Sequence, residues 1–186
     1  MIRASVLVLG LAASTQATAW SVTELFQVLA KERPARATFT ERKFMALLDR
    51  PLESSGELAF TPPDRLEKRT ILPREERVTV DAERVTLERS GKRHSLGLRE
   101  NPAVAVLIEG VRATLAGDLA ALNRSYSAGL EGTLERWRLT LRPLDPASER
   151  LVERIDIDGE RALVKVIEIR QADGDRSVMT ITPVAR

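Results

Sequence analysis

Residues 101–123 read NPAVAVLIEGVRATLAGDLAALN, an apolar segment with helical spacing in a chain whose other segments resemble strands. Asn101 is a favourable N-cap residue, and Pro102 suits the first helical position because its missing N–H would have no partner there. Gly117 favours a break, which predicts one helix and then a short second turn over residues 118–123. An apolar helix among strands must pack against a sheet.

The apolar side chains of this segment lie on one helical face, because they recur at the i, i+3, i+4 and i+7 spacing of an amphipathic helix. Glu109 and Arg112 point away from that face. This periodicity fits a helix that completes a packed core as well as one that covers a ligand cavity, so it leaves both alternatives open. The face consists of Val104, Leu107, Ile108, Val111 and Leu115.

The rest of the chain predicts an antiparallel sheet. A short amphipathic helix is expected over residues 21–31, with Ser21 as N-cap and Glu24 as its capping-box partner. Turn signals such as Pro62-Pro63-Asp64 and Asp158-Gly159 then separate short runs of alternating polarity. Because strand twist accumulates, about eleven strands in one layer should curl into a barrel or half-barrel, with the two helices on its dry concave side. The predicted strands are residues 35–47, 52–61, 66–71, 77–80, 84–88, 95–98, 126–130, 134–142, 151–158, 162–170 and 177–183.

Polarity alternates clearly in the second half of the chain, around the second tryptophan. Trp137, Leu139 and Leu141 point to one face of their strand, whereas Arg136 and Arg138 point to the other. We therefore expect the three apolar side chains on the concave side of the sheet and the two arginines in water.

The first nineteen residues have the composition of a secretory signal. Arg3 supplies a positive start, residues 6–13 a short apolar core, and residues 17–19 (ATA) a small-residue cleavage site. The apolar run is shorter than a membrane span requires. We therefore expect cleavage after Ala19 and a soluble periplasmic protein in which residues 20–186 form a single domain.

Composition argues against several classes of function. The chain has no cysteine, which excludes disulfides, thiolate metal ligands and a lipidated anchoring cysteine. Basic and acidic residues number 29 and 27, and they alternate along the chain, which argues against nucleic-acid binding. No catalytic, metal or cofactor site is predicted. His94 is the only histidine, and the neighbouring Ser90 and Ser95 point apart on a strand and a turn.

The order of the elements is similar to that of a known family. The matching stretches are residues 37–42 (ATFTER), 55–60 (SGELAF), 71–73 (ILP), 78–81 (VTVD), 101–102 (NP) and 137–141 (WRLTL), followed by the hairpin signal at residues 158–159. Together they resemble the LolA-type periplasmic carriers, which ferry outer-membrane lipoproteins. The resemblance implies an α+β, mainly β fold: an unclosed, strongly curved antiparallel barrel of about eleven strands with a helical lid. It also implies a cavity that holds acyl chains without a cofactor.

The resemblance further implies which partners such a carrier meets and which residues face its cargo. The partners would be the acyl chains of a lipoprotein or lipid, an inner-membrane exporter and an outer-membrane receptor, and the carrier itself would be a monomer. The missing cysteine argues against the membrane-anchored receptor group of the same family. The residues expected to face acyl chains are Leu58, Phe60, Val78, Val80, Leu87, Val104, Leu107, Ile108, Val111, Leu115, Trp137, Leu139 and Leu141.

One position departs from the family pattern. In these carriers an arginine in the turn after the Gly-Glu-Leu strand bonds to the lid, whereas the matching residue here is Pro62, which has no side-chain donor. Arg65 or Arg69 is a candidate replacement for this polar latch. The alternative is that both arginines are surface charges on an edge strand.

Two functions are consistent with these observations. The first is a periplasmic carrier that shields acyl chains between sheet and lid and shuttles them towards the outer membrane. The alternative is an interaction module of the same fold that binds a protein partner, such as a periplasmic sensor or an envelope assembly factor. A hydrolase would need a positioned base and an oxyanion site, and the sequence indicates neither.

Overall fold

The computed structural model describes residues 20–31 and 35–184, and the segment predicted as a secretory signal lies outside them. The helices are α1 (Val22–Leu29), α2 (Pro102–Ala116), α3 (Leu119–Ser125) and α4 (Pro146–Glu149). The strands are β1 (Ala35–Phe44), β2 (Leu52–Thr61), β3 (Arg65–Leu72), β4 (Glu76–Asp81), β5 (Arg84–Arg89), β6 (Lys92–Gly97), β7 (Tyr126–Thr133), β8 (Arg136–Pro143), β9 (Val152–Glu160), β10 (Leu163–Gln171) and β11 (Arg176–Pro183).

All eleven strands belong to one antiparallel sheet. Their order is β6-β5-β4-β3-β2-β1-β11-β10-β9-β8-β7, so two meanders are joined where β1 pairs with β11. At this junction Phe39 of β1 lies opposite Gly56 of β2 on one side and Ile181 of β11 on the other. The edge strands β6 and β7 do not pair with each other, and the sheet curls without closing. The predicted unclosed, mainly β barrel with helices as a lid is confirmed.

The capping box predicted for the first helix is present. The backbone N–H of Glu24 donates to Ser21 Oγ at 3.2 Å, and the backbone N–H of Ser21 donates to Glu24 Oε2 at 2.9 Å. These two bonds satisfy donors that have no partner at a helix start. Leu25, Phe26 and Leu29 are buried, so α1 lies with its apolar side in the core.

The second predicted helix also forms, and it breaks at the predicted glycine. Gly117 has φ 65°, and a Cβ added there would lie 2.2 Å from the backbone nitrogen of Ala30, so α2 ends in a close contact with the end of α1. Pro102 occupies the first turn as expected. Asn101 differs from the prediction, because its side chain does not cap the helix and its Nδ2 donates to the carbonyl of Gly97 at 2.8 Å. Among the described residues, no helix is long and apolar enough to cross a bilayer.

The most deeply buried side of α2 is not the face of large residues that the sequence indicates. Val106, Gly110, Ala113 and Thr114 are buried, whereas the five predicted face residues are only half-buried. A Cβ at Gly110 would lie 3.1 Å from atoms of Ile155 and Tyr126, so the helix approaches the sheet at its smallest residue. The hydroxyl of Tyr126 donates to the carbonyl of Val106 and fixes this approach.

The main core lies between β7–β10 and the helices α1 and α2. Trp137, Leu139 and Leu141 of β8 are all at most 1% exposed, whereas Arg136 and Arg138 face water, which confirms the predicted register of this strand. A second, smaller cluster lies where β4 and β5 meet α2. It consists of Val80, Val85 and Leu98, with Val104, Ala105, Ile108, Leu66, Val78 and Leu96 packed against it.

The hairpin that Asp158-Gly159 predicts does form, between β9 and β10, but its turn lies at residues 161–162 and not at this pair. Both residues continue β9, which ends at Glu160. The turn to β10 follows at Arg161, whose φ of 53° is in the left-handed region. Gly159 is needed for a different reason, since the indole ring of Trp137 lies against its backbone.

Candidate functional site

A cavity of about 290 Å³ lies between the concave face of the sheet and the helices α1 and α2. Its walls are contributed by β1–β4, β10 and β11, and Leu29 of α1 together with Val111 and Leu115 of α2 covers it. Most of the lining side chains are aliphatic. The polar ones are Arg36, Glu41, Glu67, Lys68 and Ser177. The space is therefore suited to a largely apolar ligand with one polar end.

Six of the thirteen residues expected to face acyl chains line this cavity. Alternation along β2 and β4 directs every second side chain to the concave face, and the helical spacing of α2 directs two more towards them. The six are Leu58, Phe60, Val78, Val80, Val111 and Leu115.

The other seven lie outside the cavity, and their assignment to it is corrected. Trp137, Leu139 and Leu141 do face the concave side, but the helices cover them and no space remains there.

The other four residues pack elsewhere. Val104 and Ile108 pack on the second cluster, and Leu107 packs against the main core. Leu87 is half-buried on β5, opposite the cavity residue Val78. Alternation identified the correct face of each strand, but not which part of that face the helices fill.

Sequence reasoning missed the wall formed by the last two strands. Ile167 and Ile169 of β10 and Met179 and Ile181 of β11 line the cavity. The sequence predicts both strands and both alternate, so the signal for an apolar face is present. These two strands border the cavity because β1 pairs with β11. This pairing joins residues more than 130 positions apart, so no local sequence pattern indicates it.

The polar end of the cavity is a group of four side chains that we call the Glu41 cluster: Glu41, Ser54, Lys68 and Ser177. The Glu41 carboxylate accepts hydrogen bonds from Ser177 Oγ at 2.6 Å, from Ser54 Oγ at 3.3 Å and from the Lys68 ammonium. Cross-strand pairing brings them together, since Ser54 is directly opposite Glu41. The Lys68 nitrogen also lies 4.9 Å from the centroid of the buried Phe39 ring, a cation–π contact.

Glu41 is negatively charged at neutral pH despite its position. Burial raises the pKa of this carboxyl group, but the charge of Lys68 and the hydrogen bonds from Lys68, Ser177 and Ser54 together outweigh burial and hold the pKa below its usual value. The cluster therefore presents an ion pair on the wall of an apolar cavity.

Neither candidate for the polar latch contacts the lid. Arg65 Nη1 lies 2.8 Å from Asp81 Oδ2, and Arg69 Nη2 lies 2.7 Å from Glu75 Oε1, and within the described chain neither arginine bonds to a helix. Both arginines are therefore surface charges, as the alternative interpretation of these two residues predicts. Their strand, however, is not an edge strand, because β3 pairs with β2 and β4.

A different arginine links the lid to the sheet. Arg112 Nη1 of α2 donates to the carbonyl oxygen of Ala82 in the turn between β4 and β5, at 2.8 Å. In this arrangement the helix supplies the donor and the sheet supplies the acceptor. The helical periodicity predicts an outward position for Arg112 and indicates no contact for it.

The residues around His94 form no catalytic arrangement. His94 lies opposite Leu87, and the hydroxyl of Ser95, the next residue, is 3.2 Å from Thr86 Oγ1 on the other face of the sheet. The residues that the structure describes contain no group of three or more histidine and acidic side chains suited to a metal ion.

Comparison with known proteins gives a family match and several similar structures. The family model for outer membrane lipoprotein carrier protein LolA-like sequences matches residues 12–186, and no curated protein sequence matches the chain. A LolA superfamily protein from Nitrosomonas europaea has 9% identity and a TM-score of 0.44 over 87% of this chain and 90% of that chain. A putative outer membrane lipoprotein-sorting protein domain from Vibrio parahaemolyticus has 10% identity and a TM-score of 0.46 over 86% of this chain and 88% of that chain. A chain in the Pseudomonas aeruginosa MucA/MucB complex has 15% identity and a TM-score of 0.46. The match covers 88% of this chain and 57% of that chain.

Proposed function

Because the chain belongs to the LolA-like outer membrane lipoprotein carrier family, we propose that it binds acyl chains in the cavity and carries them through the periplasm towards the outer membrane. On this proposal residues 1–19 direct export and are removed, and residues 20–186 form the carrier. The cargo is a lipoprotein or a lipid, loaded from an inner-membrane exporter and passed to an outer-membrane receptor. The carrier acts by binding alone and performs no chemical step.

The observation that carries the proposal is the apolar cavity beneath the lid. Water occupies roughly 30 Å³ per molecule in the liquid, and a methylene group is of similar size, so 290 Å³ holds on the order of ten methylene groups. Burying each contributes about 0.8 kcal/mol, which sums to roughly 8 kcal/mol, the free energy of a micromolar complex before the entropy cost of association. The size fits one acyl chain and not the three chains of a triacylated lipoprotein, unless the lid moves outward.

The position of the lid supports a releasable cargo. Val111 and Leu115 cover the cavity and also pack against the edge of the main core, and both are only half-buried, so this part of the α2 surface is less deeply packed than the side at Gly110 and Thr114. Apolar contact is non-directional, so the surface around Val111 and Leu115 can shift over the cavity with few specific bonds to break, among them the exposed one from Arg112 to Ala82. The deeply buried side of the helix, at Gly110 and Thr114, supplies the fixed point.

The experiment is direct detection of cargo and then a binding measurement. Protein purified from the periplasm under mild conditions is analysed by native mass spectrometry and by extraction, and we expect one bound amphiphile per chain. The delipidated protein should then bind a fluorescent acyl-chain probe with micromolar or lower Kd. If no lipid co-purifies and the probe does not bind, the carrier proposal fails, and a search for a protein partner becomes the next step.

A further inference from the structure

The Glu41 cluster is an unusual feature for the wall of an apolar cavity. Removing two charges even partly from water is costly, and an ion pair in such a place is often no more stable than aliphatic side chains of similar volume. Lys68 lies between Leu58 and Val78 in its cross-strand row, so the surrounding pattern would accept an aliphatic residue. Filling this part of the wall therefore does not require a charged pair, and its location points to ligand recognition.

The two members of the pair differ in the hydrogen-bonding capacity they retain. The Glu41 carboxylate already accepts from three donors, Lys68, Ser54 and Ser177. The Lys68 ammonium has three N–H donors, and within the described residues it uses one of them, towards Glu41. The unused hydrogen-bonding groups of the cluster are thus N–H donors of the positively charged Lys68. A ligand that binds to them must supply a hydrogen-bond acceptor.

Lys68 is also positioned to reach a ligand. Its side chain is 30% exposed, whereas that of Glu41 is 17% exposed, and both line the cavity. The Phe39 ring beneath its ammonium holds the head of this long side chain in place. An acyl chain in the cavity could therefore place a polar end group at Lys68. The aliphatic part of the same ligand would remain in contact with Leu58, Val78 and their neighbours.

From these contacts we infer that the Glu41 cluster is a head-group site, and that the natural ligand is a single-chain amphiphile whose acyl chain ends in an anionic oxygen group bound by Lys68. This inference rests on the proposed acyl-chain function and names its ligand class. A carboxylate and a phosphate share the required chemistry, and both accept charge-assisted hydrogen bonds from an ammonium group. Without a ligand, the Lys68 ammonium bonds to Glu41. In the complex it would bond to both Glu41 and the head group.

The test compares ligands that share a chain and differ only in their head: dodecanoate, dodecyl phosphate and dodecanol. Binding is measured by displacement of a fluorescent acyl-chain probe from the delipidated full-length mature protein. A charge-assisted bond should give the better anion an advantage of about tenfold or more over dodecanol. Whichever anion binds more tightly identifies the source of the oxygen group.

Three variants assign the preference to the cluster. Lys68→Met should remove the advantage of the anions and leave the affinity for dodecanol within about threefold of the wild type. Because Lys68→Met leaves Glu41 without its counter-charge, the double variant Glu41→Gln/Lys68→Met keeps the cluster neutral and should give the same result in a well-folded protein. Glu41→Gln alone should bind the anions several-fold more tightly than the wild type, since Lys68 then has no competing carboxylate. Lys92→Met, an exposed position on β6 away from the cavity, is the control and should change nothing.

The outcomes separate this inference from the proposed function. Equal binding of dodecanol and both anions by the wild type would overturn the head-group site and leave the acyl-chain function intact. An anion preference that persists in both Lys68→Met proteins would likewise overturn it. Failure of all three ligands to bind would overturn the acyl-chain function itself, and the head-group site with it.

Discussion

The indole ring of Trp137 lies directly against the backbone of Gly159 on the neighbouring strand, where a Cβ would be 2.1 Å from the indole carbon Cζ2. The two residues are cross-strand partners in β8 and β9. The ring occupies the place where a side chain at position 159 would stand, and its Nε1 donates to the carbonyl of Arg161 at 2.8 Å. The glycine therefore serves the packing of the core and not a turn.

Gly159→Ala should destabilise the protein, because the new methyl group overlaps a buried ring that has no free space to move into. We expect a loss of about 1–3 kcal/mol in the free energy of unfolding, measured by urea titration. Gly129→Ala is the matched control, since it is also a strand glycine and a Cβ there meets nothing within 4 Å. Equal stability of the two variants would contradict the close packing at Trp137.

Trp137→Ala tests whether this ring belongs to a filled core or borders the ligand space. Trp137 is 1% exposed and lies outside the cavity, so its removal should cost about 3–5 kcal/mol of unfolding free energy. The ligand affinity of the folded fraction should stay close to that of the wild type. A loss well below 3 kcal/mol together with weaker acyl-chain binding would instead place Trp137 in the ligand site.

Leu115→Glu and Leu107→Glu form a pair on the same helix. Leu115 lines the cavity, and a carboxylate there must lose water when an acyl chain enters, so acyl-probe affinity should fall by more than about tenfold. Leu107 packs against the main core outside the cavity, so Leu107→Glu should lower stability but change the affinity of the folded protein by less than about threefold. Circular dichroism confirms folding before each titration. A reversed order of the two effects would show that the ligand space lies at Leu107.

Arg112→Met removes the hydrogen bond from the lid to the β4–β5 turn. The bond is exposed, so the loss of stability should be about 1 kcal/mol or less, but release of a bound acyl probe should become several-fold faster because this end of α2 is no longer held. Stopped-flow displacement measures the rate. Arg99→Met is the control: it breaks an exposed ion pair with Glu83 near the same turn without touching α2, and its release rate should match that of the wild type.

Glu41 should give the protein a specific dependence on acid. Its folded pKa lies below the ordinary value of 4.5, so the charged carboxylate contributes stability above that pH, and this contribution is lost as pH falls through the lower folded pKa. Glu41→Gln cannot titrate at this position. The difference in unfolding free energy between wild type and Glu41→Gln should therefore be constant from pH 7 to about pH 5 and should shift against the wild type below pH 4.5. Parallel stability profiles down to pH 3 would show that Glu41 is not perturbed.

The sequence by itself determined where the two longest helices and the strands lie and which face each strand presents to the core, but not the most deeply buried side of α2. The capping box at Ser21, the break at Gly117, the eleven strand segments and the alternation around Trp137 are all local patterns, and the structure confirms them because hydrogen bonding within a helix and the two-residue period of a strand depend on near neighbours.

Only the tertiary structure decided how those faces combine. Pairing of β1 with β11 places Ser177 beside Glu41, and the strand order places Lys68 within reach of the same carboxylate. The path of α2 decides that Leu115 covers open space while Trp137 is fully packed. These relationships depend on contacts between residues far apart in the chain, whose register is set by the total packing of sheet and helices and not by any local pattern.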